Sequence, residues 1–207
     1  MGSVINPLNP VHMKNCVKTL VLLTILFALP SLLAAQLKLP VANGFTADIK
    51  KVIEDYPNRF INLMGEVKTQ HEQSTEYFCN FKINGAEEAT VTRYSSKREA
   101  VVSWEAVMFT TDDFEQAKKK YKAFYTQLNN MAVTLGKSHF RLRGDYETPS
   151  DDNKFNSVLF GFDPTSADIK KVKVELLLQY KAPMDWQVKI MVYDREREDE
   201  ERGKVEE

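Results

Sequence analysis

Thiols are almost missing from this chain: among 207 residues only Cys16 and Cys79 carry one. Cys16 falls in the segment read below as an export signal, so the remainder has a single cysteine. No disulfide can form within it, and its core must hold by packing alone. Asn-x-Ser/Thr is absent as well, which fits a bacterial envelope better than a eukaryotic secretory route. Charge is balanced, with a formal net of −1, and this excludes the strongly basic surface typical of nucleic-acid binding. There is no Gly-rich phosphate loop, Gly-x-Ser-x-Gly elbow, His-Glu-x-x-His, His-x-x-x-His or Cys-x-x-Cys, so the common phosphate, hydrolase and metal signatures are missing.

Long apolar runs are also scarce, and the one present is informative. Met13, Lys14 and Lys18 precede an apolar stretch from Leu20 to Leu29, followed by Pro30, Ser31 and Ala34-Ala35. Basic n-region, short h-region and small residues make a cleavable secretory signal of the Sec type, and the run is too short for the roughly twenty residues of a membrane helix. Translation is expected to start at Met13 and cleavage to follow Ala35. The opening Met-Gly is not a myristoylation signal, because Asn6 stands where Ser or Thr is needed. Cys16 precedes the apolar run, whereas a lipid anchor would follow it. Residues 1–35 are therefore read as upstream sequence and signal, 36–193 as one globular domain, and 194–207 as an acidic, charged tail. The expected location is the periplasm or the exterior, with no stable membrane span after cleavage.

Apolar spacing sets out the elements. Gln36 to Asn43 reads as an extended lead-in. Phe45, Ile49, Val52, Ile53, Tyr56, Phe60, Leu63 and Met64 recur every three or four residues, predicting a helix from Phe45 to Gly65 with one apolar face. Pro57 predicts a kink, or two short helices meeting at Tyr56-Pro57. Glu66 to Ser74 reads as a polar loop. Tyr77, Cys79, Phe81 and Ile83 then alternate with polar residues, and Asn84-Gly85 predicts a hairpin turn with positive φ at both positions. The second strand is expected from Ala86 to Tyr94 and, after a polar turn at Ser95 to Arg98, a third from Glu99 to Phe109. That strand sets Ala100, Val102, Trp104, Ala106 and Met108 on one face and Val101, Val107 and Phe109 on the other, which suits a central strand partly covered on both sides.

Asp112 and Glu115 form a capping-box pattern ahead of a second helix, whose stripe is Phe114, Ala117, Tyr121, Phe124, Tyr125, Leu128 and Met131. Four more strands are expected at Ser138 to Tyr146, Phe155 to Phe162, Lys171 to Tyr180 and Trp186 to Tyr193. The fold class is α+β: an antiparallel sheet of about six to seven strands with two amphipathic helices on one face, in the order α-βββ-α-ββββ. Phe45, Lys50, Lys51 and Tyr56 match Phe114, Lys119, Lys120 and Tyr125 at one constant offset, a pattern open to reading as a diverged tandem repeat. The topology resembles the tandem helix-plus-sheet layout of beta-lactamase inhibitor proteins, with no motif residue in common.

Few residues suggest chemistry. Cys79 is the candidate nucleophile, with His71 or His139 as its base, yet it shares a strand face with Tyr77, Phe81 and Ile83, where a thiol serves as a small apolar filler. The acidic pairs Glu87-Glu88, Asp112-Asp113 and Asp151-Asp152 read as solvated or capping groups, because glycosidase carboxyls must face each other across a cleft. His139, Arg141 and Arg143 project from one side of a predicted strand, a basic row able to meet an anion or an acidic partner. Trp104 and Trp186 fall at inward-facing positions and read as core. No catalytic residue, metal site or cofactor is assigned, and the ligand-binding residues stay open. The expected function is a non-enzymatic binding or interaction module of the bacterial envelope, engaging an envelope protein or a small ligand and no nucleic acid. The alternatives are a secreted hydrolase or thiol enzyme using Cys79, and an inhibitor or scaffold for an exported enzyme.

Overall fold

The apolar stripe Phe45, Ile49, Val52 and Ile53 folds as helix α1, Gly44–Asp55. The computed structural model describes residues 44–95, 101–166, 169 and 171–194, together with Gly2. The expected signal, the lead-in 36–43, most of the turn at 95–98 and the tail from 195 lie outside the described residues.

Helix α1 is shorter than its periodicity suggests. Pro57 sits in a single 3-10 turn, Tyr56–Asn58, and the chain then bends through Arg59 and Phe60, both at φ 55°. Asp55 holds this bend. Its Oδ1 accepts the side-chain N–H of Asn58 at 2.8 Å and of Asn62 at 2.6 Å. Phe60 and Leu63 still reach the core, but from a turn.

Nine strands follow among the described residues, not the expected six or seven: β1 (Met64–Gln70), β2 (Ser74–Cys79), β3 (Glu88–Tyr94), β4 (Val101–Thr111), then after helix α2 (Phe114–Leu128) β5 (Ala132–Leu135), β6 (Ser138–Arg143), β7 (Phe155–Asp163), β8 (Val172–Lys181) and β9 (Asp185–Asp194). They form one antiparallel sheet in the order β1-β2-β3-β4-β9-β8-β7-β6-β5. Each half is a helix followed by a meander, and the halves join where β4 pairs with β9. The two unforeseen strands, β1 and β5, are the two edges of the sheet. β1 buries none of its side chains fully and breaks register twice against β2; β5 has only four residues. A polar, bulged edge such as β1 and a very short one such as β5 protect a sheet from pairing with other chains, and the same traits leave little alternation for a sequence reading to use.

Three local expectations are corrected. The Asn84-Gly85 turn exists, with Ala86 N–H donating to the Ile83 carbonyl at 3.2 Å, but only Gly85 has positive φ and the strands end at Cys79 and Glu88. Tertiary contacts peel the loop away from a tight hairpin: Ile83 is buried in the core, and the Asn84 N–H donates to Asp48 Oδ2 of α1 at 2.9 Å. The cap of α2 lies one residue later than expected. Asp113, and not Asp112, accepts from the Gln116 N–H at 3.1 Å, and the Gln116 side chain returns to the same carboxylate at 3.0 Å. Both residue pairs fit the capping-box spacing, and the extension of β4 to Thr111 selects the second. Last, a register shift between Val107 and Phe109 lets Met108 and Phe109 both turn toward the core, so Phe109 leaves the face first assigned to it.

Both helices pack on one sheet face, where Val102, Trp104 and Ala106 of β4 meet Val174, Leu176 and Leu178 of β8, Val188, Ile190 and Val192 of β9, and the α2 side chains Ala117, Tyr121 and Leu128. Phe45 of α1 lies 5.1 Å from Phe124 of α2 between ring centres. On the opposite face Leu177, Met191 and Tyr193 make a small separate buried cluster, and no described helix packs there. Among the described residues no helix is long and apolar enough to cross a membrane.

Candidate functional site

The structure does not assemble the thiol with a base. Cys79 ends β2 opposite Met64, half-buried and packed against the core. His71 lies in the β1–β2 turn, its backbone N–H donating to Ser74 O at 2.8 Å. The five residue steps along β2 from Ser74 to Cys79 separate that turn from the thiol by about 17 Å. His139 is on β6, six strand spacings from β2 in the sheet order, or about 29 Å; its Nδ1 meets Thr134 Oγ1 at 3.1 Å.

The acidic pairs have local partners. Glu87 accepts from the Thr110 N–H at 2.8 Å and from its hydroxyl at 2.7 Å, linking the β2–β3 loop to β4. Asp113 caps α2, and the Gln116 side-chain and backbone N–H groups hold its carboxyl below the ordinary value of 3.8. Asp151 and Asp152 sit in a loop turn, where Asp152 Oδ2 accepts from Ser150 Oγ at 3.4 Å. Trp104 is fully buried, and Trp186 is buried against Phe114 and Tyr180, with ring centres 4.8 and 5.4 Å away. Among the described residues no group of three or more His, Cys, Asp or Glu side chains is placed to hold a metal.

What the structure does build is a groove of about 860 Å³ on the sheet face opposite the helices. Side-chain alternation from β1, β3, β4 and β9 brings Lys68, Glu88, Glu105 and Lys189 to its floor, and the loop after β2 supplies a wall. The charges are paired. Lys68 Nζ lies 2.7 Å from Glu88 Oε1 and 3.3 Å from Glu76 Oε1, and Lys189 Nζ lies 2.8 Å from Glu105 Oε1. Burial acts to lower the Lys68 pKa, but the hydrogen bonds and charges of Glu88 and Glu76 outweigh it and hold the ammonium above 10.5. Phe78 remains 47% exposed at the side of the groove, its ring centre 5.8 Å from Lys68 Nζ. Gln187 and Lys181 add to a lining that carries both signs of charge beside the Phe78 and Phe81 rings.

Of the four floor charges only Glu88 belongs to a pair that the sequence singles out; Lys68 falls in the expected polar loop, and Glu105 and Lys189 are single charges inside apolar strands. Their shared signal is a charge on the outward phase of a strand otherwise buried, which becomes a site only once β4 and β9 are known to be neighbours.

The basic row does form. His139, Arg141 and Arg143 are all exposed on one side of β6, opposite buried Phe140 and Leu142. Arg143 Nε lies 3.7 Å from Asp163 Oδ2 and its Nη1 donates to Asn130 Oδ1; Arg141 Nη1 donates to the Asn130 carbonyl at 3.5 Å.

No protein-family model matches the sequence, and no curated protein or solved structure is significantly similar to it.

Proposed function

We propose that the chain is an exported, non-enzymatic binding module of the bacterial cell envelope, and that the groove over β1, β3, β4 and β9 takes a small polar ligand carrying both signs of charge. One observation carries the reading: two ion pairs, at 2.7 and 2.8 Å, form the floor of a groove beside a half-exposed phenyl ring on the helix-free face. Its volume falls in the range of small-molecule sites. A zwitterionic ligand such as a short peptide or a free amino acid exchanges its charges with those pairs, and the Phe78 ring covers an apolar part of it. The signal at residues 13–35 supports the envelope location.

The test is to express the chain with its native start, sequence the N-terminus of the exported product, and analyse it by native mass spectrometry beside Phe78→Ala and Lys189→Met. A start at Gln36, with a small-molecule adduct on the wild type that both variants lose, is the expected result. An intact N-terminus, or no saturable binding of di- and tripeptides and amino acids, would overturn it.

A second reading, an inhibitor or scaffold for an exported enzyme, is favoured by the two-half layout. Phe45 and Phe114 both stand in the first turn of their helices, in keeping with a diverged repeat, and the joined meanders give a broad sheet face. An exported enzyme gripped across that face would be released by Phe155→Asp, on β7, with Phe78 untouched. Phe155 is 58% exposed on that face.

A further inference from the structure

Gly161 stands in the middle of the basic corner of the sheet, and neither conformation nor packing demands a glycine there. Its φ is not in the left-handed region, and a Cβ built on it would meet only the Arg143 carbonyl oxygen, at 3.9 Å. Gly144 differs: a Cβ there would lie 2.7 Å from Val158 Cγ1. A glycine inside a strand weakens it unless a bend or a close approach by another group requires the space, and β7 shows no register shift against β6 or β8.

The neighbours of Gly161 say what approaches. Arg143 is its partner on β6; the ladder with β8 ends one residue earlier, at Phe160 and Val174, and Lys173 is the next residue along β8 on the side of Gly161. Phe160, Leu142 and Val174 are core residues; Arg143, Gly161 and Lys173 therefore share the helix-free face. Their Cα atoms span two strand spacings, about 10 Å, with no side chain between the two cations. Arg143 spends part of its five-donor fork on Asp163 and Asn130 and keeps the rest, being 53% exposed. Lys173 has no ion-pair partner among the described residues, and the nearest acid on its strand face, Glu175, accepts from the Tyr193 hydroxyl at 2.9 Å. Arg141, opposite Asp163, adds a third cation at the rim.

We propose that this notch binds a tetrahedral oxyanion, the phosphate or sulfate group of a larger ligand, with Arg143 and Lys173 gripping it from either side and Gly161 leaving room for it. Arg donates in a fork that matches two oxygens at once, and Lys supplies a point charge. The site is independent of the groove, lying on β6, β7 and β8.

The test titrates the full chain with inorganic phosphate, then inorganic sulfate, while following backbone amide and Arg Nε–H resonances by NMR. Saturable shifts at Gly161 and Arg143 are expected, with dissociation constants on the order of millimolar for a two-cation exposed site. Gly161→Val keeps every cation and fills the notch, and should weaken binding by at least about tenfold; Lys173→Gln, which removes the charge of a half-buried side chain and keeps most of its length, should weaken it severalfold. Binding unchanged in Gly161→Val, or shifts that never saturate in the wild type, would overturn the proposal. Two further arms separate the sources of the anion: saturation by glucose 6-phosphate assigns a soluble phosphate ester, whereas cosedimentation with phosphatidylglycerol vesicles that Gly161→Val abolishes assigns a lipid headgroup.

Discussion

Asn62 donates its side-chain N–H to Asp55 Oδ1 at 2.6 Å, seven positions back along the chain, closing a loop over Pro57. Asp55 is only 7% exposed, and its Oδ2 has no hydrogen-bond partner among the described residues. One carboxylate oxygen thus organises the whole exit from α1. Asp55→Ala leaves the amides of Asn58 and Asn62 without their acceptor in a half-buried turn, so the expected loss is about 1–3 kcal/mol. Urea unfolding with an unchanged slope and a lowered midpoint would show it. An unchanged midpoint would mean that the turn is held by Phe60 and Leu63 alone.

Tyr125 ties α2 to the end of β6, its hydroxyl donating to the Gly144 carbonyl at 3.0 Å while Asn129 donates to that hydroxyl at 3.1 Å. The closeness depends on Gly144, whose missing Cβ would strike Val158 and Phe160 at 2.7 and 2.9 Å. Gly144→Ala should overpack this corner and cost about 1–3 kcal/mol, whereas Tyr125→Phe, which removes only the hydroxyl, should cost about 1 kcal/mol. Thermal unfolding of both variants checks the order.

Alkaline pH should destabilise the fold through three groups acting in the same sense. Lys68 has a folded pKa above its ordinary 10.5, so the stability its ion pairs lend is full below about 10.5 and is lost as pH rises through the higher folded value. Burial pushes the Tyr121 phenol well above 10, and that of Tyr146 above 10 against the opposing charge of Lys118. Their unfolded forms therefore ionise first. Unfolding midpoints should fall from about pH 10 upward. Lys68→Met should flatten part of the slope and Tyr121→Phe another part, and phenolate absorbance should show Tyr121 ionising only as the chain unfolds.

Glu105→Gln removes the partner of Lys189, whose side chain is 16% exposed, and should cost about 1.5–3 kcal/mol as a lost charge-assisted hydrogen bond. Pairing it with Lys189→Met in a double-mutant cycle should recover part of that loss, because no stranded charge remains. A simple sum of the two single losses would show that the pair is not coupled.

Alternation made the central sheet legible. β4, β8 and β9 each bury a run of apolar residues on one phase, and Trp104, Leu176 and Ile190 lie where their spacing puts them. The stripe of α2 is equally clear, with Ala117, Tyr121 and Leu128 buried. Legibility failed at the periphery, since Met64–Gln70 and Ala132–Leu135 pair on one side only and one of them buries nothing fully. The exposed basic face of β6 followed directly from the burial of Phe140 and Leu142. The mixed-charge groove could not be anticipated, because the four charges of its floor come from four strands.

The chain's local pattern thus settled the α+β class, the inward faces of its central strands and the face on which Arg141 and Arg143 stand. These depend on the period of each element and on the cost of wetting apolar side chains, both properties of neighbouring residues. Tertiary structure decided which strands adjoin. The β4–β9 junction places Glu105 within 2.8 Å of Lys189, eighty-four positions along the chain. The β6–β7–β8 corner sets Gly161 between Arg143 and Lys173. A contact at that separation is fixed by the packing of the whole sheet, and no local propensity encodes it.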